Sequence, residues 1–308
     1  MSDATLGKLS RPARRKRSQI PKFLLYCAPA LIFFGVFKYW PMIYSFILSF
    51  AKWNFVTDIK WVGWSNFTSM LDKAMFAKGV GNTFLYIAAL LPFFIVIPLL
   101  LATLLLEVRN KRLQGLYKAL YFLPTVLAFS IICIVWIWMY NPTYGVLNNI
   151  IRQLGLGEGY SWVTDPRTAF FAIVLVCGWK YMGQNMILFM AGLLNISQDC
   201  IEAATIDGAN AWQCFWRIKF PLIAPTSVYL LMTSVIFAAE RAFTAINLLT
   251  QGGPSYGTTN LSYVIYEFGF KYYNIGMASA IAVFTSVIFL AITVMMMRSM
   301  GGFGYDEK

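Results

Sequence analysis

Charged and amide side chains are rare in the long apolar stretches of this sequence, and some of them recur at helical spacing. Glu240, Thr244 and Asn247 are separated by four and three residues, which places them on one face of an α-helix, with Arg241 beside Glu240. Ionised side chains are costly in hydrocarbon and therefore face a cavity or a partner. The stripe could neutralise a cation and hold helices in register, or it could line a translocation cavity and hydrogen-bond a polyol.

A second polar group lies on the preceding apolar stretch. Lys180 and Gln184 are one helical turn apart, and Asn185 is adjacent to Gln184. At a rise of about 1.5 Å per residue, Lys180 and Glu240 fall at comparable depths below the outer ends of their helices. An ion pair and a shared solute-lining surface both remain open. The pathway candidates are Lys180, Gln184, Asn185, Glu240, Arg241, Thr244 and Asn247.

No catalytic constellation accompanies these groups. The sequence contains no histidine, and Glu240 is the only carboxylate within the predicted spans. The phosphate loop G-x-x-x-x-G-K-[ST] is also missing from the sequence. A membrane-embedded enzyme would need clustered catalytic side chains. We therefore predict no catalytic residue, no metal site and no cofactor in this chain.

The elements that position these side chains are predicted to be membrane-spanning helices. Of the 308 residues, 59% are hydrophobic and only 12% are charged, about half the charge of a typical soluble domain. A span needs about 20 apolar residues, and six stretches are long enough. They are residues 23–50, 81–106, 117–140, 168–194, 224–249 and 276–297, and Pro41 is expected to kink the first. The predicted fold class is an all-α polytopic membrane protein with about six transmembrane helices.

The net charge of +12 is concentrated in short segments beside the spans. With the N-terminus inside, fifteen Lys and Arg residues fall on the inner side and seven on the outer side. The positive-inside rule then places both termini on the cytoplasmic side of the plasma membrane, and no nucleic-acid partner is predicted. The predicted domains are a basic cytoplasmic tail over 1–22, a six-helix transmembrane domain over 23–297, and a cytoplasmic tail over 298–308.

The inner loop over residues 195–222 contains a predicted short helix at 198–207. Ser197 is a candidate N-cap, Asp199 suits the first turn, and Gly208 suits the C-terminal stop. The small side chains of Ala203 and Ala204 would let another protein approach closely. A solvated linker helix is the alternative that composition alone favours.

The spacing in this loop resembles the signature loop of ATP-binding-cassette (ABC) importer permeases. Phe220 departs from that pattern, in which Leu usually precedes the proline. The resemblance implies a coupling helix that is seated in a cleft of a cytoplasmic ATPase. The residues that carry it are Glu202, Ala203, Ala204, Asp207, Gly208, Ile218 and Pro221.

Further segments resemble the carbohydrate branch of that family, which includes maltose-type and glycerol-phosphate-type permeases. They are Trp40-Pro41, Val62-Gly63 with Asn66-Phe67, Thr250 to Pro254 with Thr258-Thr259, and Gly276 to Ala280. The resemblance implies the type I importer permease fold and transport of a sugar, a polyol or a related solute, anionic solutes included.

The implied partners are a second homologous permease, two ATPase subunits that bind ATP and Mg²⁺, and a periplasmic or lipid-anchored solute-binding protein. An ion-coupled secondary transporter or a channel is the alternative function. It would need coupling-ion sites in broken helices.

Overall fold

The structure is a computed structural model that describes residues 20–300 of the chain, so most of both predicted tails, residues 1–19 and 301–308, lie outside the described residues. Nearly all of the described part is helical. The helices are α1 (Ile20–Phe34), α2 (Trp40–Leu48), α3 (Ser65–Leu71), α4 (Ala74–Leu91), α5 (Ile97–Glu107), α6 (Lys111–Val126), α7 (Phe129–Met139), α8 (Val146–Gln153), α9 (Ala169–Leu194), α10 (Gln198–Ile206), α11 (Ala211–Cys214), α12 (Phe220–Leu222), α13 (Ala224–Ala245), α14 (Leu261–Tyr266) and α15 (Ile275–Met300).

Two kinds of smaller element interrupt this helical chain. Strands β1 (Ala51–Lys52) and β2 (Lys60–Trp61) pair antiparallel, with Ala51 opposite Trp61. Wider π-helical turns adjoin several helices, at Gly35–Tyr39, Pro92–Val96, Phe215–Lys219, Ile246–Thr250 and Glu267–Lys271. The all-α prediction therefore holds except for one two-residue strand pair.

Five continuous helical segments are long and apolar enough to cross a membrane, and a sixth is counted if α6 and α7 together form one span. The five are Tyr26–Leu48, Ala74–Glu107, Ala169–Leu194, Ala224–Thr250 and Ile275–Arg298. The prediction of about six spans agrees with this count. The ends differ slightly, because α1 begins at Ile20 and α15 ends at Met300, inside the predicted tails.

The predicted third span is not one straight helix. Helices α6 and α7 meet at a bend of 100°. Leu127 at the end of α6 has an extended backbone, and Pro124 lies in the last turn of α6. A proline removes a helical donor and favours a nearby break. The break leaves the last carbonyl groups of α6 without helical partners.

Three of the π-helical turns share a simple sequence cause. The turns ending at Tyr39, Val96 and Lys219 are each followed, two residues later, by a proline: Pro41, Pro98 and Pro221. Because proline has no N–H and its ring crowds the carbonyl four residues earlier, the preceding turn widens. At Pro41 the helix therefore widens and continues into α2.

By internal contacts the described residues form two units, which are divided between Ile47 and Leu48. In the second unit α9 is the central helix. Of an 18-residue apolar stretch of this helix, 61% of the residues are buried, whereas the value for the span Ile275–Arg298 is 11%. Phe189, Met186 and Ile173 of α9 are fully buried. Of the polar residues of α9, Lys180 and Asn185 are buried and Gln184 is half-buried.

Two of the outer motifs are held together by close backbone contacts. The Asn66 side chain donates to the carbonyls of Ser49 and Ala51, both at 2.9 Å. A Cβ atom at Gly276 would collide with the Ala51 carbonyl oxygen. These residues join the β1 segment to α3 and α15, so the motif has an architectural role.

The loop after α13 is attached to α4 in a similar way. The Asn82 side chain donates to the carbonyls of Tyr256, Gly257 and Thr259 at 2.9–3.1 Å. The Tyr86 hydroxyl donates to the Thr258 carbonyl at 3.0 Å. The glycine, proline and threonine motif of this loop thus fits a compact turn that packs on α4.

Candidate functional site

Lys180 is a buried cation that donates hydrogen bonds to free carbonyls at the break between α6 and α7. Its side chain is in the core of the molecule, with the residue only 4% exposed. The ammonium nitrogen donates to the carbonyls of Pro124, Thr125 and Leu127 at 3.0, 3.1 and 2.7 Å. These carbonyls lie at the C-terminal end of α6, where unpaired acceptors and the helix dipole both attract a cation. Lys180 therefore has an architectural role, and it forms no ion pair with Glu240.

Asn185 has a comparable role one and a half turns further along α9. Its amide nitrogen donates to the Phe94 carbonyl at 2.7 Å, and the side chain is buried. Phe94 lies four residues before Pro98, which has no N–H to offer that carbonyl. Asn185 thus supplies a donor that the proline cannot.

Arg241 on α13 has very different surroundings. The half-buried guanidinium lies 4.4 Å from the Tyr181 ring centroid, 5.0 Å from that of Phe237 and 5.6 Å from that of Phe94. Within residues 20–300 no hydrogen bond or ion pair is formed by its five N–H donors. Stacking on aromatic faces orients the guanidinium and leaves the donors available.

Glu240 is exposed and lies at the edge of a groove of about 480 Å³ with Phe243, Tyr266 and Phe270. Among the described residues, the one ion pair within 4.0 Å joins Lys271 to Glu267. Glu240 therefore has no ion pair within 4.0 Å with Lys180 or Arg241, although its charge acts on Arg241 at longer range.

The ion pair between Lys271 and Glu267 includes a third group, Tyr263. The Lys271 ammonium donates to the Tyr263 hydroxyl at 2.8 Å and lies 3.4 Å from Glu267 Oε2. The hydrogen bond to Tyr263, together with the nearby Glu267 charge, raises the pKa of Lys271 above its ordinary value. Lys271 is therefore charged and already partnered.

Gln184, Thr244 and Asn247 are half-buried, and their side chains have no hydrogen-bond partner in the described part of the chain. Asn247 lies in the turn Ile246–Thr250, beyond the end of α13. The predicted α-helical stripe therefore holds for Glu240 and Thr244, while the π-helical turn changes the angular step before Asn247.

The predicted coupling helix is present as α10, from Gln198 to Ile206. Asp199 is in its first turn, as expected. Ser197 is at the N-cap position but its side chain forms no capping hydrogen bond, so that detail was wrong. Gly208 has φ +83° and open space around its missing Cβ, which explains why a glycine ends this helix.

Most residues of this loop that carry the resemblance are exposed. Helix α10 has no buried residue. Glu202, Ala203, Asp207, Gly208 and Pro221 are exposed, and Ala204 and Ile218 are half-buried. The loop therefore presents a surface that residues 20–300 leave uncovered.

An apolar surface beside α10 was not predicted from the sequence. Ile206 is 85% exposed and Trp212 is 71% exposed. Trp212 and Trp216 stack edge to face with centroids 5.6 Å apart. Helix α11, which carries Trp212, begins with a capping box between Asn210 and Gln213. The N-x-x-Q spacing was the available signal for this helix.

The fold and these surfaces define an all-helical, multi-pass membrane transport subunit. Residues 73–301 match the family described as the binding-protein-dependent transport system inner membrane component. The chain belongs to this family and is a permease subunit of an ABC importer. The alternatives of a secondary transporter and a channel have no support.

Individual relatives agree with this assignment. A probable ABC transporter permease of Pyrococcus horikoshii is 31% identical over 92% of this chain and 96% of its own length. The sn-glycerol-3-phosphate transport system permease UgpA of Brucella suis is 34% identical over 91% of this chain and 94% of its own length. A crystal structure of a bacterial ABC transporter involved in import of the acidic polysaccharide alginate matches with a TM-score of 0.80 and 27% identity, over 91% of this chain and 96% of that one.

Proposed function

We propose that this chain forms half of the translocation pathway for a polyhydroxylated solute that carries negative charge. It pairs with a second, related permease over two ABC ATPase subunits, which bind ATP and Mg²⁺ and hydrolyse the ATP. A periplasmic or lipid-anchored binding protein delivers the solute, and alternating access moves it across the membrane.

The observation that carries the solute assignment is the unpartnered polar stripe of α13. A charged side chain at membrane depth without an internal partner has to face water, solute or another subunit. Arg241 offers several N–H donors, and Thr244 offers a hydroxyl group. A cation held on aromatic rings suits an anionic group, whereas the neutral amides and hydroxyl suit sugar or polyol hydroxyls.

Two of the relatives support the same class of solute. The Brucella suis permease is named for glycerol 3-phosphate, and the structurally similar bacterial transporter is involved in the import of alginate. Both of these solutes are polyhydroxylated anions. The aromatic groove beside Glu240 adds flat apolar faces that suit the apolar faces of sugar rings.

The solute assignment is tested with the whole importer reconstituted with its ATPase and binding protein. Uptake is measured for glycerol 3-phosphate against glycerol, and for an acidic against a neutral oligosaccharide of equal length. We expect that the importer transports the acidic solute of at least one of these two pairs. The substitution Arg241→Gln should reduce this transport roughly 10- to 150-fold, because a hydrogen bond to a charged group contributes about 1.5–3 kcal/mol.

Arg241→Lys is the conservative control and should retain part of the uptake, since it keeps the charge but not the planar donor geometry. If the importer transported only the neutral solutes, and if uptake by the Arg241→Gln variant equalled that of the wild type, the proposal of a negatively charged solute would be wrong.

We further propose that α10 and the turn that follows it form the binding surface for the ATPase. The exposed small residues Ala203 and Gly208 permit close approach, and Ile206 and Trp212 offer apolar contact area. An obligate protein partner is expected to cover a surface of this composition.

The substitution Gly208→Asn tests this proposed ATPase-binding surface. Asparagine tolerates the left-handed backbone at this position, and its side chain would extend into space that is open in this chain. We expect normal insertion and loss of solute-stimulated ATP hydrolysis. Gly155→Asn is the matched control, because Gly155 also has positive φ and open space. Wild-type coupling in the Gly208→Asn importer would contradict the proposal.

The orientation with α10 in the cytoplasm rests on the excess of inner Lys and Arg residues and is also a proposal. The native Cys200 on α10 is exposed. A membrane-impermeant maleimide should leave it unlabelled in intact cells and label it after permeabilisation. Glu158→Cys in the opposite loop should react in intact cells; labelling of Cys200 there instead would reverse the topology.

A further inference from the structure

A cavity of about 480 Å³ lies among the ends of three long helices and the coupling segment. Its walls come from the end of α5, the first turns of α6, the end of α9, helix α10 and the turn Phe215–Lys219. The cavity is on the same side of the membrane as α10 and is separate from the polar stripe of α13.

Three lysines line this cavity. Lys111 and Lys118 are seven residues apart on one face of α6, and Lys219 approaches from the segment after α11. Lys118 and Lys219 are half-buried. Bringing three ammonium groups to one cavity is electrostatically unfavourable unless an anion is present.

The cavity supplies only part of the compensating charge. Glu107 is its one carboxylate, and no ion pair within 4.0 Å joins it to any of the lysines in the described part of the chain. The Lys118 ammonium has a long contact of 3.4 Å with Gln114 Oε1. The cavity thus keeps an excess of two positive charges.

The remaining wall is partly apolar. Leu106, Leu193 and Ile201 lie beside the lysines. A site that combines ammonium groups with an apolar wall at the ends of membrane helices suits a phosphate group with an organic substituent. Basic pockets of this kind between transmembrane helices bind phosphorylated lipid headgroups.

We propose that this cavity binds a phosphate group, contributed either by an anionic phospholipid of the adjoining leaflet or by a free phosphate ion. Because the ligand contacts α6 and Lys219 together, with Gln198 and Ile201 of α10 in the same wall, its binding stabilises the position of α10. This site is independent of the solute that the importer carries.

The test uses the assembled importer in a neutral detergent and a triple substitution, Lys111→Gln, Lys118→Gln and Lys219→Gln. The probes are dioctanoyl phosphatidylglycerol, dioctanoyl phosphatidylcholine and inorganic phosphate. Each is titrated while the thermal unfolding midpoint is recorded, which gives an apparent affinity from the shift.

A matched control removes the same charge from the same segments. It combines Arg109→Gln, Arg112→Gln and Arg217→Gln, three exposed residues that do not line the cavity. The single substitution Lys111→Gln is a second variant in case the triple variant does not assemble, since Lys111 is exposed.

We expect phosphatidylglycerol to raise the midpoint of the wild type and the arginine control, with an apparent affinity about tenfold lower in the lysine variant. The same lysine-dependent shift with inorganic phosphate would identify a free phosphate ion as a sufficient ligand. Equal shifts with phosphatidylcholine, a shift that is unchanged in the lysine variants, or no shift with either phosphate probe would overturn the proposal.

Discussion

Helices α9 and α13 each carry a cation within a predicted span, but the two cations have different surroundings. Lys180 of α9 is 4% exposed and donates to three backbone carbonyls. The guanidinium of Arg241 of α13 lies over three aromatic rings and forms no hydrogen bond within the described residues. A charge within a span therefore does not by itself indicate a solute site in this protein, and the proposed solute contact of Arg241 depends on its having no hydrogen bond or close ion pair in residues 20–300.

The same contrast separates two adjacent residues on α9. Asn185 is buried and donates to the Phe94 carbonyl, whereas Gln184 is half-buried without a partner in the described part of the chain. Both partners of α9, the end of α6 and the turn after Pro92, are places where a helix is interrupted. Interrupted helices need donors for their free carbonyls in a dry environment, and α9 supplies them from its buried face.

The largest expected effect is on stability. Lys180→Met keeps the length of the side chain but leaves three carbonyls without a donor, so we expect a loss on the order of 3 kcal/mol or more. Arg241→Met should cost only about 1 kcal/mol, from its ring contacts. Thermal unfolding midpoints of the purified importer compare the two; an equal loss in both would remove the distinction between these cations.

A smaller effect on stability is expected for Asn185, which lies one and a half turns from Lys180 on α9. Asn185→Leu is close to isosteric and leaves the Phe94 carbonyl unsatisfied, at a cost of roughly 1–3 kcal/mol. Its neighbour provides the control, since Gln184→Met removes no hydrogen bond within the described residues and should leave the midpoint unchanged. If Gln184→Met were the more destabilising substitution, the assignment of the two amides would be reversed.

On α13 the expected effect is on transport and not on stability. Thr244→Val removes a hydroxyl that has no partner in residues 20–300, so folding should be normal. Loss of one hydrogen bond to solute is typically about 0.5–1.5 kcal/mol, which corresponds to a several-fold fall in uptake. The fall should depend on the solute offered; wild-type uptake of every solute would place Thr244 outside the pathway.

The smallest expected effect concerns Glu240. Because it has no ion pair within 4.0 Å in the described part of the chain, Glu240→Gln should change the unfolding midpoint less than Glu267→Gln does. The latter breaks the pair with Lys271, a partly exposed interaction of about 0.2–1 kcal/mol. A larger loss for Glu240→Gln would mean that its carboxylate is paired in the assembled importer.

Much of the architecture was predictable from local sequence. Long apolar stretches predict spans because a helix satisfies its own backbone in lipid. The helix stop at Gly208 was also predictable, because its φ of +83° favours glycine. The bend between α6 and α7 was not expected, although Pro124 was visible, because a proline predicts a disturbance and not its angle.

The sequence by itself determined that this is a multi-pass membrane protein, where most spans lie, and which loop carries a short exposed helix. Each of these features depends on residues within one or two helical turns or on the hydropathy of one segment. Only the tertiary structure decided which polar side chains have partners. Lys180 lies more than fifty residues from the carbonyls it binds, Asn185 lies about ninety from Phe94, and Lys219 lies about a hundred from the lysines of α6. Such hydrogen bonds and charge clusters are formed by the packing of helices, and local periodicity contains no information about that packing.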